Sequence, residues 1–183
     1  GAQTVCIGTS NTLAAESDNA VAIGYNTDAG LESVSIGSGI TQNTNYAVAI
    51  GKGIAGTGSS NVSVGEGITN NGNNSVAIGK GISTVSLDSV VIGKDSSTTT
   101  AGTESVVIGT ESKATDSKAV SIGYKSESAQ ESVSIGHCNV NAGAQTVCIG
   151  TSNTLAAASD NAVAIGYQTN AGLESVSIGS GIT

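Results

Sequence analysis

The sequence contains no proline, phenylalanine, tryptophan or methionine, and its aromatic content is only 2%, supplied by four tyrosines. A conventional globular core of this length is built around large aromatic and branched side chains, so these absences argue against an ordinary enzyme domain. Collagen is also excluded, because the 26 glycines among 183 residues follow no three-residue period and proline is missing. The fold must be one that small side chains can fill.

Charge is scarce as well. Charged residues make up 11% of the chain, and 14 acidic against 6 basic residues give a formal charge of −8. Without a basic run, nucleic acid and anionic membranes are not expected as partners. Apolar stretches are interrupted by glycine or serine after a few residues, so we expect no direct membrane insertion by this segment, and its start does not resemble a signal peptide.

What the sequence does contain is a short repeat, which argues against disorder despite the abundance of glycine and serine. Its unit is Val, a small residue, Ile or Val, and Gly. The thirteen copies end at Gly8, Gly24, Gly37, Gly51, Gly65, Gly79, Gly93, Gly109, Gly123, Gly136, Gly150, Gly166 and Gly179. Successive copies lie 13 to 16 residues apart, with a mean near 14.

A longer repeat lies on top of the short one. Residues 1–41 recur as 143–183 with 38 of 41 positions identical. The three differences are Glu16 to Ala158, Asn26 to Gln168 and Asp28 to Asn170. We interpret residues 1–183 as a single β-roll domain cut from a longer tandem repeat.

The period predicts the fold class. Alternation of β-branched and small residues within each unit is typical of a strand. Fourteen residues suffice for two short strands and two turns, which predicts a flat, two-sided rung. Stacking such rungs in register gives an all-β, parallel β-roll solenoid, with the closing glycine placed where a Cβ would clash.

A column of small residues lies between the Val and Ile of each unit. Its members are Cys6, Ala22, Ser35, Ala49, Ser63, Ala77, Val91, Val107, Ser121, Ser134, Cys148, Ala164 and Ser177. We expect the Val and Ile columns to lie inside the roll and this column to face a homo-oligomer axis. The reason is that two or three buried aliphatic side chains per rung do not offset the cost of ordering fourteen residues.

The residue three positions after each glycine differs in polarity from one part of the chain to another. It is isoleucine at Ile40, Ile54, Ile68, Ile82 and Ile182, but polar at Asn11, Thr27, Ser96, Ser112, Ser126 and Asn139. If this position points inward, the middle rungs are drier than those on either side, where the polar groups must form hydrogen bonds.

Several units resemble a known signature. Ser75–Gly79, Ser132–Gly136 and Ser175–Gly179 are similar to the Ser-Val-Ala-Ile-Gly motif of the head repeats of YadA-like trimeric autotransporter adhesins. The segment from Gly109 to Gly123, with Ser112 and Ala114 between its glycines, resembles that repeat in full. The resemblance implies a left-handed parallel β-roll, a homotrimer with the Val-x-Ile strands facing inward, and an adhesive role. The same roll could serve in a virus or phage fibre.

No catalytic, cofactor or metal site is predicted. The chain has one histidine, and no Ser/His/Asp or paired-carboxylate pattern recurs where a pocket could form. The three cysteines, Cys6, Cys138 and Cys148, are interpreted as small buried thiols. The alternative is that copies from three chains meet around an oligomer axis and form a disulfide or bind a metal ion. His137 and Cys138 are adjacent, so in a strand they are expected to point apart rather than share a metal ion.

Two features are candidates for partner contact. The residue after each glycine is variable and expected to be exposed, and Tyr25, Tyr124 and Tyr167 in this column are the predicted ligand contacts. The other candidates are loops in the 16-residue rungs, through Leu13 to Asp18, Ser97 to Gly102 and Leu155 to Asp160. Lys52, Glu66 and Lys80 are expected to stack on consecutive rungs.

Taken together, these patterns predict a non-enzymatic, trimeric fibre segment on a cell or virion surface. Its predicted role is adhesion or host attachment through a host-surface glycan or matrix protein. The alternative is a purely structural spacer, in which repetition supplies length and stiffness.

Overall fold

A computed structural model describes residues 2–14, 17–42, 44–99 and 102–183. The regular structure in these ranges consists of β-strands, with no helix that could span a membrane. The chain divides into two compact units, Gly1–Asp88 and Ser89–Thr183, and each is described by itself.

The first unit contains six longer strands and three two-residue strands among its described residues. Its elements are β1 (Val5–Thr9), β2 (Thr12–Leu13), β3 (Val21–Ala29), β4 (Val34–Gln42), β5 (Val48–Lys52), β6 (Val62–Glu66), β7 (Thr69–Asn70), β8 (Val76–Lys80) and β9 (Ser83–Thr84). The longer strands pair in the order β1-β3-β4-β5-β6-β8. On the opposite side of the rungs, β2 pairs with the second half of β3, and β7 pairs with β9.

The second unit repeats this plan. Its elements are β10 (Val90–Lys94), β11 (Ser97–Thr98), β12 (Val106–Thr110), β13 (Lys113–Ala114), β14 (Val120–Tyr124), β15 (Glu127–Ser128), β16 (Val133–His137), β17 (Val140–Asn141), β18 (Val147–Thr151), β19 (Thr154–Leu155), β20 (Val163–Tyr167) and β21 (Val176–Ser180). The long strands pair as β10-β12-β14-β16-β18-β20-β21, and the short ones pair as β11-β13-β15-β17-β19.

The register follows the repeat. Every pair is parallel, and each Val lies opposite the Val of the next rung, each Ile opposite the next Ile or Val and each Gly opposite the next Gly, as in Val106↔Val120 and Gly109↔Gly123. The 16-residue rungs keep the register, with Val5 opposite Val21. The predicted all-β parallel solenoid with rungs of about 14 residues is confirmed.

The closing glycines form a ladder that no other residue could form. Gly37 has a φ of 144° and Gly51 a φ of 141°, values that L side chains rarely adopt. A Cβ added to Gly37 would lie 1.8 Å from the carbonyl oxygen of Gly51 on the next rung. The rungs can therefore stack closely only if this position lacks a side chain, as predicted.

The interior contains the small residues, which corrects the expected orientation of the long strands. In one rung, the side chains of Ala47, Ala49 and Ile54 are buried, whereas Val48 is half-buried and Ile50 is 39% exposed. Residue alternation separates two faces without saying which is inside. Each narrow rung already receives side chains from its opposite strand, so the bulky Val and Ile lie outside, where space is not limited.

The position three residues after the glycine points inward in the rungs from Thr27 to Thr169, but not in the two end rungs, where Asn11 is half-buried and Ile182 is 41% exposed. Ile40, Ile54, Ile68 and Ile82 are fully buried in the first unit, as are Ser96, Ser112, Ser126, Asn139, Asn153 and Thr169 in the second. The inward column is thus aliphatic over one stretch of the chain and polar over another.

Candidate functional site: outer faces of the solenoid

In each unit the outward Val and Ile side chains form an apolar surface, here called the Val/Ile face. In the first unit it comprises Val5, Ile7, Val21, Ile23, Val34, Ile36, Val48, Ile50, Val62, Val64, Val76 and Ile78. In the second it comprises Val90, Ile92, Val106, Ile108, Val120, Ile122, Val133, Ile135, Val147, Ile149, Val163, Ile165, Val176 and Ile178. All are half-buried or exposed in the single chain, which leaves two unbroken aliphatic columns facing solvent in each unit.

The predicted oligomer interface was therefore assigned to the wrong side chains. The column Ala22, Ser35, Ala49, Ser63, Ala77, Val91, Val107, Ser121, Ser134, Cys148, Ala164 and Ser177 is buried within the chain itself and cannot contact a neighbour. Cys6 in the same column is exposed in β1. The small size of these residues reflects the narrow interior rather than close approach of another copy.

The tyrosines predicted to contact a ligand are all exposed. Tyr25, Tyr124 and Tyr167 directly follow the closing glycines of β3, β14 and β20. These residues are 61%, 38% and 52% exposed, respectively. Tyr46, outside this column, is exposed as well. Ligand contact by these rings stays a prediction.

Tyr124 belongs to a small cluster on the second unit. Its ring stacks on that of His137, the residue opposite it in register, with centroids 5.1 Å apart and an interplanar angle of 25°. Lys125 Nζ lies 5.2 Å from the centroid of Tyr124 and 3.4 Å from Glu111 Oε2. Hydrogen bonding to Tyr124 and the negative charge of Glu111 raise the pKa of Lys125 above its ordinary value.

His137 and Cys138 do not point apart, contrary to the sequence-based expectation. β16 ends at His137, and Cys138 adopts a left-handed conformation with a φ of 53°. That turn brings Cys138 Sγ to 3.8 Å from His137 Nε2. Strict alternation applies only within a strand, and the pair lies at its end.

The three cysteines lie in three environments, and all are free thiols. Cys6 is exposed, Cys138 is half-buried and Cys148 is buried. Burial raises the pKa of the Cys148 thiol to about 11, because the thiolate would lose its hydration. Cys148 lies between Ser134 and Ala164 in the inward column, as expected of a structural thiol.

Lys52, Glu66 and Lys80 lie on consecutive rungs, as expected, and two of them form an ion pair. Lys80 Nζ lies 3.3 Å from Glu66 Oε2, and both side chains are more than half exposed. Lys118 and Glu131 approach to 4.0 Å in the second unit. Exposed pairs of this kind contribute little to stability.

Of the predicted loops, the one from Leu155 to Asp160 lies wholly within the described residues. Leu155 and Ser159 are buried, so only residues 156–158 of the Leu155 to Asp160 loop are exposed, in a turn closed by the Ser159 N–H donating to Ala156 O at 2.9 Å. In the other two loops, residues 15, 16, 100 and 101 lie outside the described residues.

These features define the class of protein: a parallel β-solenoid whose glycine-closed strands present an aliphatic face. A family model for the YadA head domain repeat matches two segments, residues 14–27 and 101–126. The chain thus carries YadA-like head repeats, and its solenoid fits them. A comparison with curated proteins found no match.

YadA-like heads are non-enzymatic, surface-exposed adhesin domains that in general form trimers. Within the described ranges of this chain, no group of three or more His, Cys, Asp or Glu side chains is placed to hold a metal ion.

Proposed function

We propose that this chain is a head segment of a trimeric, YadA-like surface fibre that mediates adhesion outside the cell. The observation that carries the proposal is the Val/Ile face, because a solvent-facing aliphatic surface of this extent marks an interface. The matched head repeats indicate which kind of interface it is.

The argument for self-association starts from composition. The two columns of the Val/Ile face contain only valine and isoleucine, and the glycine that follows leaves the adjoining backbone uncovered by side chains. Interface cores are depleted of charge in this way. Because every rung of the face presents two β-branched aliphatic side chains, a second and third copy could pack along the whole length of each unit, as the trimeric family predicts.

Sedimentation equilibrium tests this step. The expected species has three times the 17.7 kDa mass of the chain. Replacing Ile122 and Ile135 on the face with aspartate should dissociate it, because charges would then lie within an apolar interface. The matched control is Val140→Asp, which alters an exposed β-branched residue on the short strand β17. A monomeric wild-type chain, or dissociation by the control alone, would contradict the proposal.

The adhesive step rests on the exposed tyrosines. An aromatic ring supplies a large contact area at low entropic cost, and Tyr25, Tyr124 and Tyr167 leave much of that area free. The inferred partner is a host-surface glycan or matrix protein. Nucleic acid is not inferred, since the chain carries a net charge of −8.

Binding to host cells and to glycan or matrix arrays tests this step. Saturable binding is expected, with a large loss when Tyr25, Tyr124 and Tyr167 are all changed to alanine. Tyr46→Ala serves as the control, because its ring is exposed but lies outside the column. Equal losses in both variants would argue against the column as the contact surface.

One observation favours the alternative of a structural spacer. The two copies of the long repeat keep the same strand register: Val5↔Val21 and Val21↔Val34 are matched by Val147↔Val163 and Val163↔Val176. Such duplication extends a fibre without adding a new surface. A trimer that binds no cell, glycan or matrix protein, and that forms long uniform threads in electron micrographs, would support the spacer over the adhesin.

A further inference from the structure

One pair of side chains outside the Val/Ile face has the chemistry of a metal site. Cys138 Sγ lies 3.8 Å from His137 Nε2, and thiolate sulfur and imidazole nitrogen are the preferred ligands of Zn²⁺. We propose that His137 and Cys138 together bind one thiophilic divalent ion of the Zn²⁺ class per chain. The site goes beyond the adhesive function and does not depend on it.

The separation of the two atoms fits a shared ion. Typical Zn–S and Zn–N bonds are about 2.3 Å and 2.0–2.1 Å long. With those lengths, an S–N distance of 3.8 Å corresponds to an S–metal–N angle of roughly 120°, a little wider than tetrahedral. The separation of the two atoms is therefore compatible with one shared ion.

The fold holds both ligands in place. The His137 ring is packed against Tyr124 at 5.1 Å, which fixes its plane. The Cys138 N–H donates to Tyr124 O at 2.8 Å, which ties the left-handed turn to the preceding rung. Tyr124 thus acts as a positioning residue for both ligands, through its ring and its backbone.

The ion would keep open coordination positions. His137 is exposed and Cys138 half-buried, so both ligands are reachable from solvent. The described part of the chain places no third His, Cys, Asp or Glu ligand beside them. Water, or a carboxylate or imidazole from another molecule, completes the shell. Binding releases the thiol proton to solvent, so affinity should fall as the pH is lowered.

The test is a titration of the intact 183-residue chain with Zn²⁺, and with Co²⁺ as a spectroscopic probe, in a non-thiol reductant. One ion per chain and a thiolate-to-cobalt charge-transfer band are expected. Cys138→Ser and His137→Gln should each weaken binding roughly tenfold or more, since even indirect ligand partners contribute that much. Cys6→Ser is the matched control, an exposed cysteine without an adjacent histidine.

Three results would overturn the site: no Zn²⁺ binding by the wild-type chain, unchanged affinity in His137→Gln, or loss of binding in Cys6→Ser. A second pair of variants tests positioning. Tyr124→Phe keeps the stacked ring and should bind as the wild type does, whereas Tyr124→Ala should bind more weakly with the cobalt band retained. Circular dichroism of each variant checks that the solenoid is intact, so that a loss of binding reports on the site.

Discussion

Two stretches of this solenoid fill the same inward column by different means. Over four rungs of the first unit the column is dry, formed by the fully buried Ile40, Ile54, Ile68 and Ile82, although Thr27 before them is polar. From Ser96 to Thr169 in the second unit it is polar, and its members form hydrogen bonds from rung to rung: Asn153 N donates to Asn139 Oδ1 at 3.1 Å, and Thr169 N to Asn153 Oδ1 at 2.8 Å. One backbone path is thus stabilised by aliphatic burial in one place and by buried hydrogen bonds in another.

The residue that precedes each member of the inward column also differs between the dry and the polar stretch. Before each isoleucine stands a glycine, as at Gly53 and Gly67, whereas Lys125 and Cys138 precede polar residues, and all four have φ between 52° and 63°. Isoleucine has no polar atom to hold the turn, so a residue without strain is needed there. A serine or asparagine holds it, as Asn139 Nδ2 does by donating to Ile135 O at 2.8 Å.

The largest effect is expected from breaking the dry column. Ile68→Ala should lower the free energy of unfolding by about 2–5 kcal/mol, because it leaves a cavity that neighbouring rungs cannot fill. Thr69→Ala, at the next and exposed position, should change it by no more than about 0.5 kcal/mol. Denaturant unfolding at fixed chain concentration measures both. Equal effects would mean that the column is not what stabilises these rungs.

The second largest effect is expected from a substitution in the polar column. Asn153 Nδ2 donates to Ile149 O at 2.9 Å and Gly166 O at 3.0 Å, and its Oδ1 accepts from Thr169. Asn153→Ala should cost about 2–3 kcal/mol, because these groups stay buried without partners. Asn153→Ser should recover part of the loss, since serine holds the equivalent place at Ser126. If alanine and serine destabilise equally in denaturant unfolding, hydrogen bonding is not the cause.

A pH titration extends the comparison to the long strands, where Cys148 occupies the position that Ala49 has in the dry rungs. Burial raises the pKa of Cys148 from 9.0 to about 11, so between these values the unfolded chain loses a proton that the folded chain keeps. The contribution of Cys148 to the free energy of unfolding is fully present below pH 9. It decreases as the pH rises, and about 2–3 kcal/mol has been lost above pH 11. Cys148→Ala should remove this part of the dependence, and identical pH profiles for both proteins would contradict it.

The smallest effect concerns the turn residue. A Cβ at Gly53 would meet its nearest atom, Gly67 N, at 3.9 Å, so only the positive φ opposes a side chain. Gly53→Asn should cost less than about 1 kcal/mol, because asparagine tolerates this conformation. Lys125→Gly places glycine at the equivalent position of the polar stretch, and it too should change the free energy of unfolding by less than about 1 kcal/mol. A large loss from Gly53→Asn would show that the dry rungs require glycine for a reason other than φ.

Much of the fold could be predicted from spacing. The recurrence of glycine about every fourteenth residue predicts the parallel register, and the glycine ladder follows from it. The choice of inner face could not be predicted, because Val48 and Ala49 alternate identically whichever of them points inward. The His137–Cys138 pair was missed for a local reason: an ordinary cysteine gives no sign that it will adopt a positive φ at a strand end.

The sequence by itself determined the rungs, their parallel stacking and the places where only glycine fits, because each of these follows from periodicity and backbone sterics. Only the tertiary structure decided which face is solvent-exposed, since that depends on the volume available between two closely packed strand layers. The same packing buries the small residues, leaves the Val/Ile face accessible to solvent and brings an imidazole and a thiol together at the end of β16.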